Sequence, residues 1–246
     1  MKIVIVATYF ERLPQLIKTV ESLNRYKRHD FEFIVVDDGS PHDINIAGHR
    51  DFPLIILKLS NKTWFNSCIP FNKGFEFALS RNPEIIILQN AECYHAGDIL
   101  GYAEKHLTDD NYIPFPCYSL AESDTVPPQK IDNRCASFDG DGAWYNHPVY
   151  RPVGYHFCAA ITANNLRKLN GFDERFMYGH DYEDNYWLHQ VNTLGLRVDI
   201  PPEPFVYHQW HYSSDRPRGT GSNAALYQSL MLNNEHRAMH LITPDL

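Results

Sequence analysis

The sequence predicts an α/β fold, a Rossmann-like, doubly wound and mostly parallel sheet in one domain. Three observations carry that expectation. Ile3–Ala7 (IVIVA), Phe31–Val36 (FEFIVV) and Ile85–Leu88 (IIIL) are nearly continuous apolar runs rich in β-branched residues, the pattern of strands covered on both faces. Segments with helical spacing stand between such runs, and polar or acidic residues stand directly after them. A strand–helix alternation of this kind implies parallel strands joined by right-handed crossovers.

The elements follow in order. After the first strand, Leu13, Leu16, Ile17, Val20 and Leu23 recur at helical spacing, and Pro14 suits a first turn. The second strand closes at Asp37-Asp38-Gly39-Ser40, and Leu54–Leu57 (LIIL) reads as a third. Pro70–Leu79 is expected as a helix with Phe71, Phe75, Ala78 and Leu79 inward, Ile85–Leu88 as the fourth strand and Asp98–Leu107 as a helix. Residues 119–157 are rich in turn residues and show no period, which in a compact domain marks a functional or mobile stretch. Order returns with a strand at Phe157–Thr162, a short helix at Asn165–Asn170 and a helix from about Glu183 to Leu194. Leu196–Ile200 and Phe205–His208 read as strands, and Ala224–Leu241 as a closing helix.

Composition sets limits. The chain has 246 residues and a formal net charge of −8, from 22 Lys+Arg against 30 Asp+Glu. An acidic protein lacks the basic face that phosphate contacts to nucleic acid need. No apolar run approaches the roughly 20 residues of a transmembrane segment, and Met1-Lys2 leads straight into a strand without a signal region. Five scattered cysteines without a C-x-x-C pair argue against a disulfide framework and for a reducing compartment. The expectation is a cytoplasmic protein, either soluble or peripheral to a membrane.

In open α/β sheets, ligands bind outside the carboxyl ends of the strands. That rule marks Thr8-Tyr9, Asp37-Asp38 and Gln89-Asn90-Ala91-Glu92. The Asp37-Asp38 carboxylates can accept hydrogen bonds from a base edge or ribose hydroxyls, although Asp-Gly-Ser after a strand is also ordinary turn chemistry. Oxygen ligands in Asn90-Ala91-Glu92 suit a hard divalent cation that also binds phosphates; a solvated polar loop is the alternative. Acids in His180-Asp181-Tyr182-Glu183-Asp184-Asn185 can supply a general base, or can merely favour a helix N-terminus. His208-Gln209-Trp210-His211 offers an imidazole to complete a metal shell begun by Glu92. Arg216-Pro217-Arg218-Gly219-Thr220-Gly221-Ser222 is a short basic, Gly-containing loop able to close over phosphates; an exposed polar loop is the alternative. Trp144 and Tyr145 offer an apolar platform to a sugar face, or pack in the core.

Taken in order, these motifs are similar to those of family 2 glycosyltransferases with the GT-A fold, from about Lys2 to His211. The resembling segments are VIVATYFER at 4–12, VVDDGS at 35–40, FNKGFEFA at 71–78, IILQNAEC at 86–93, NGFDERF at 170–176 and YEDN at 182–185. The resemblance implies a nucleotide-binding half at 1–107, a metal and acceptor half at 108–223 and a closing helix at 224–246. It places the donor nucleotide at Thr8, Tyr9, Asp37, Asp38, Asn72 and Asn90; the basic loop beyond the resemblance adds Arg216 and Arg218 as candidates to cover the phosphates. Asn90-Ala91-Glu92 falls on the family's D-x-D metal motif, which implies a divalent metal, Mn2+ or Mg2+, on Glu92 and His208, with His211 beside them. Glu183 and Asp184 fall on the acidic pair near the acceptor, Asp184 as base; beside them, Trp144, Tyr145 and Asp181 are the candidate acceptor contacts, with core packing the alternative for the two aromatic residues. The 170–185 region also resembles the acceptor-side segment of galactosyltransferase-type relatives.

The function so implied is inverting transfer of a hexose from a nucleoside-diphosphate sugar, a UDP-sugar being favoured, to a hydroxyl of a glycan or glycoconjugate. Asn90 departs from the family pattern by replacing the first aspartate. That departure keeps a second reading open, a non-catalytic nucleotide- or sugar-binding module derived from such an enzyme. A nucleotidyltransferase would want a Gly-rich basic loop after the first strand, where this chain has Thr8-Tyr9-Phe10-Glu11.

Overall fold

The computed structural model describes residues 2–46, 48–136, 142–212 and 222–242. Its seven-stranded sheet grows outward from β1 (Ile3–Tyr9), which pairs in parallel with β2 (Phe31–Asp37) on one side and β4 (Ile85–Asn90) on the other. Beyond β2 lies β3 (Leu54–Lys58), also parallel. Beyond β4 come β9 (Cys158–Thr162), antiparallel to both its neighbours, then β6 (Asn111–Pro114) and β10 (Arg197–Val198). The inner strands are apolar on both faces because each face carries its own core. Ile3, Ile5 and Ala7 point into one, with Leu16, Val20 and Leu23 of α1 (Leu13–Asn24). Val4 and Val6 point into the other, with Phe71 and Phe75 of α2 (Cys68–Ser80).

Helix α1 owes its inward stripe to Leu16, Val20 and Leu23, all fully buried; each contributes about 1.5–3 kcal/mol relative to exposure. Pro14 sits in its first turn, as its sequence position predicts. Helix α2 starts two residues before the expected Pro70 and lies close on the sheet at Gly74. A Cβ there would stand 2.5 Å from Val6 Cγ1 and 2.9 Å from Val36 Cγ2. Helix α3 (Ile99–His106) begins one residue after Asp98, whose side chain caps it by accepting from the Gly101 amide at 2.9 Å. Helix α4 (Ala163–Leu169) is capped by Thr162 and ends at Asn170 in the left-handed region, φ 66°.

A second sheet was not apparent in the sequence. Four short strands, β5 (Cys93–Ala96), β11 (Phe205–His208), β7 (Cys117–Ser119) and β8 (Ala143–Asn146), pair in the order β5-β11-β7-β8. They enclose a small aromatic core of Tyr94, Tyr118, Trp144 and Tyr207. Strand β8 gives structure to part of the long 119–157 stretch.

Two terminal expectations need correction. The Leu196–Ile200 strand shrinks to Arg197–Val198. The closing helix, α6, runs only from Ser222 to Leu230; residues 233–242 leave it and, from Ala238 to Ile242, dock along residues 169–174. The amide of Ala238 donates to the Leu169 carbonyl at 2.7 Å, that of Met239 to Asp173 Oδ2 at 3.1 Å, and that of Ile242 to Glu174 Oε2 at 3.0 Å. These bonds and packing, rather than helix propensity, fix the segment.

Candidate nucleotide and metal site

Sheet register sets the site. Tyr9 is paired with Asp37, and Thr8 with Asn90, so the carboxyl ends of β1, β2 and β4 present these residues side by side. The Asp38 amide donates to the Tyr9 carbonyl at 2.8 Å and locks the edge. Asp37 Oδ1 accepts from the Ser40 amide at 2.9 Å, while its Oδ2 is buried without a partner among the described residues. An orphaned carboxylate oxygen at a strand end is chemically poised for a ligand hydroxyl. Asp38 is differently disposed. Its oxygens accept from Trp64 Nε1 at 2.7 Å and Lys62 Nζ at 2.5 Å, and burial raises its pKa against the pull of Lys62. Lys62 also stands 5.0 Å over the ring of Phe10. Neither Lys62 nor Trp64 was distinguishable in the sequence, because they lie more than twenty residues beyond the motif they complete.

Glu92 follows β4 and is 1% exposed. Antiparallel pairing of β11 with β5 sets His208 opposite Cys93, which carries the imidazole to Glu92 from far along the chain. Glu92 Oε1 stands 3.2 Å from His208 Nε2 and 3.4 Å from His211 Nε2, and the three groups offer ligand atoms within 4.8 Å of one another. The expected grouping of Glu92, His208 and His211 is thus geometrically present. Burial favours the neutral form of Glu92, but Arg12 and the two histidines outweigh it and hold the carboxyl well below its usual range. Burial keeps the His208 imidazole neutral by lowering its pKa. An ionised carboxylate with a neutral imidazole is a ligand set ready for a divalent cation, and among the described residues Glu92 Oε2 is buried without a hydrogen bond. The residues fit such an ion.

Two residues that sequence reasoning did not single out support this triad. Arg12, at the start of α1, donates from Nη1 to Glu92 Oε1 at 2.5 Å. Gln209 Nε2 donates to the Glu92 carbonyl at 2.9 Å, the Gln15 carbonyl at 3.0 Å and Thr19 Oγ1 at 3.2 Å, tying α1 to the turn after β4. Aromatic rings wall the site. Tyr145 stacks on Phe157 at 4.7 Å, and both meet the His208 ring edge-on, at 5.5 and 5.8 Å. Tyr145 therefore lines the metal triad. Trp144, on the other face of β8, is 4% exposed and packs on Tyr118 and Phe205; it presents no face to a sugar.

The acidic pair opens helix α5 (Glu183–Thr193). Glu183 Oε2 accepts from Asn66 Nδ2 at 2.7 Å, and Asp184 Oδ1 accepts from the Asn185 amide at 2.7 Å. Burial pushes both carboxyls up, Glu183 to about 7 and Asp184 to about 6; the Asp184 charge adds to the first and the Asp181 charge to the second, while Arg151 opposes the latter. Asn185 Nδ2 donates to the Tyr155 hydroxyl at 2.8 Å, and Tyr155 meets Phe157 edge-on at 6.5 Å. The rings of Tyr155 and Phe157 thus link the start of α5 to His208. Before the pair, Asp181 is exposed, and it and Tyr182 both adopt the left-handed region, φ 61° and 71°. For non-glycine residues that conformation costs on the order of 1–3 kcal/mol each and persists only where surroundings impose it.

Other expected residues have different roles. Asn72 has both amide atoms engaged: Oδ1 accepts from the Phe172 amide at 2.8 Å, and Nδ2 donates to the Phe172 carbonyl at 2.8 Å and Glu174 Oε1 at 3.0 Å. It clamps α2 to the 170–174 loop, and that bonding opposes its assignment to the donor. Asp173 is held by Arg175 at 2.8 Å, and Glu174 by the C-terminal amides, so two of the five acids between 171 and 186 are structural. Arg216 and Arg218 lie outside the described residues.

A mostly parallel sheet with nucleotide-type carboxylates and a Glu–His–His triad at one edge defines a GT-A glycosyltransferase architecture. The profile described as Glycosyl transferase family 2 matches residues 3–166, two thirds of the chain, and the chain belongs to that family. Similar solved structures include S. aureus TarS 1-349, with a TM-score of 0.57 and 14% identity over 85% of this chain and 60% of that one. TarS 1-349 in complex with UDP-GlcNAc gives 0.57 and 13% over 87% and 60%, and S. aureus TarS gives 0.55 and 15% over 85% and 37%. This chain therefore spans 60% or less of the TarS chains it resembles. No curated protein matches it by sequence. Among the described residues no helix is long and apolar enough to cross a membrane.

Proposed function

We propose that this chain transfers a hexose from a nucleoside-diphosphate sugar to an acceptor hydroxyl with inversion, using a divalent ion held by Glu92, His208 and His211. The observation that carries the reading is that triad, largely buried beside the strand ends that present Asp37 and Asn90, with one Glu92 oxygen unpartnered among the described residues. A bound divalent ion supplies charge neutralisation for the pyrophosphate leaving group; two imidazoles beside one carboxylate suit Mn2+ better than Mg2+.

The chain's own groups do the rest. Asp37 Oδ2 accepts a hydrogen bond from the nucleoside sugar, and Tyr9, Thr8 and Asn90 stand beside it at the strand ends. Asp184 takes the proton from the acceptor hydroxyl, whose oxygen forms a bond to the anomeric carbon from the face opposite the donor phosphate. The bond from that carbon to the phosphate oxygen breaks, and the nucleoside diphosphate leaves with the electron pair. A base with a pKa near 6 is ionised at neutral pH and more basic than an ordinary aspartate. Tyr145, Tyr155 and Phe157 restrict water around the reacting centre. A UDP-sugar is the favoured donor, as a TarS structure carries UDP-GlcNAc, and the acceptor is a hydroxyl of a glycan or glycoconjugate.

The test is a thermal-shift screen of UDP-glucose, UDP-galactose and UDP-GlcNAc with and without Mn2+, followed by donor-turnover assays of wild type and Asp184→Asn. Metal-dependent stabilisation by one donor, with turnover at least a hundredfold lower in the folded variant, is the expected result. Near-normal turnover in Asp184→Asn refutes the base. Binding without turnover across donors and acceptors supports the non-catalytic module that Asn90 motivates.

A further inference from the structure

The left-handed turn before α5 needs something to hold it, and the holder comes from the far end of the chain. Asn223, the second residue of α6, is 2% exposed. Its Nδ2 donates to the Phe176 carbonyl at 3.1 Å and to the Asp181 carbonyl at 3.0 Å, so one amide group bridges both ends of the 176–181 turn. Gly179 lies directly under that amide: a Cβ there would stand 2.3 Å from Asn223 Oδ1. One turn further along α6, the Tyr227 ring packs on that of Tyr182, with centroids 5.3 Å apart. Leu226 and Leu230 seat the helix against Phe176 and Tyr186.

We propose that Asn223 is a positioning residue for Asp184, latching the 176–182 turn in the shape that aims the start of α5 at the acceptor. The inference rests on the reading of Asp184 as the base. The bridging group must be a double donor of this length, because two carbonyl oxygens converge on it. Aspartate has the same shape but sets a carboxylate against both carbonyls, and alanine leaves both buried acceptors unmade. With the latch gone, the strained Asp181-Tyr182 pair relaxes and Asp184 loses its orientation and part of its burial. The donor and metal residues lie on or directly after β1, β2, β4 and β11, and among the described residues none of the latch contacts named above involves them.

The experiment uses Asn223→Ala, Asn223→Asp and Asp184→Asn in the full chain, with the UDP-sugar that gives the largest Mn2+-dependent thermal shift as probe. The expected result is a 10- to 100-fold fall in kcat for both Asn223 variants. The donor dissociation constant by calorimetry should stay within about twofold, and the acidic limb of the pH–rate profile should move downward. A purely structural asparagine would lower Tm and leave that limb in place, which overturns the proposal. Loss of turnover in Asp184→Asn with normal kcat and an unmoved limb in the Asn223 variants also overturns it, while leaving the base intact. Normal turnover in Asp184→Asn instead removes the reading beneath it. Should Asn223→Ala fail to fold, Gly179→Ala probes the same contact from the opposite side and should show the same split between kcat and donor binding; unchanged kcat in a folded Gly179→Ala refutes the latch.

Discussion

On the proposed reading Arg12 and a divalent ion compete for the same carboxylate, and replacing Arg12 by Gln should reveal it. The guanidinium donates to Glu92 Oε1, the oxygen that also faces both histidines. Glu92 is 2% exposed and Arg12 36% in their side chains. Charge centres about 4 Å apart attract by roughly 4 kcal/mol at an effective dielectric of 20. The exposed half of the pair is screened, so a net value of about 1.5–3 kcal/mol is more apt. Removing Arg12 therefore lowers the stability of the metal-free protein by about that amount, because the Glu92 carboxylate is left buried without its guanidinium partner. A divalent ion then no longer has to displace a cation. At about 1.4 kcal/mol per factor of ten, its affinity should rise by about 10- to 100-fold. Calorimetric titration with MnCl2 at fixed pH reads the affinity, and melts with and without Mn2+ read the stability. The Arg12→Gln protein should melt lower alone and gain more from Mn2+ than wild type. Unchanged or weaker Mn2+ binding in a folded variant refutes the competition.

Glu183 yields a pH-dependent test. Its folded-state pKa of about 7 lies above the unfolded value, so its contribution to stability is full below about pH 4 and is lost as pH rises through the folded value. Glu183→Gln should therefore melt higher than wild type at pH 8, by about 1–3 kcal/mol, and no higher at pH 4; a melting difference independent of pH contradicts this. Gly74→Ala drives a Cβ into Val6 and should cost about 1–3 kcal/mol in urea unfolding. Gln209→Ala removes the amide that ties Glu92 to α1 and should weaken Mn2+ binding about 10- to 100-fold by calorimetry, with the fold retained in circular dichroism.

What the sequence made legible follows from burial. Strands β1, β2 and β4 are apolar runs because cores cover both their faces, whereas β3 is an edge strand with only Leu57 buried; the ends of β2, β3 and β4 agree with expectation to within a residue or two at Asp37, Lys58 and Asn90. The Glu–His–His grouping was legible because Glu92 falls on the family's D-x-D position, and His208 and His211 at and after a late strand offer the complementary imidazoles. The second sheet was not, since strands of three or four residues such as Cys117–Ser119 carry no period long enough to detect. The segment after Leu230 looked helical because Ala, Leu and Met favour helices. It is extended because Asp173 and Glu174 capture its amides, a long-range effect that local propensity does not encode. Trp144 faced two possibilities from sequence, and only the pairing of β7 with β8 shows which side of the strand it occupies.

The triad also bears on how the protein assembles. Glu92 and Gln209 are 117 positions apart in sequence, yet one bonds the other across the β5–β11 pair. Ligands drawn together over such a span do not form a site until the chain between them has collapsed, so an ion cannot template the early steps of folding. Once bound, it acts as a staple across a long loop, whose closure entropy rises only slowly with length. It should retard unfolding far more than it speeds folding, since it grips contacts between segments that are among the most distant in sequence and so among the last to meet.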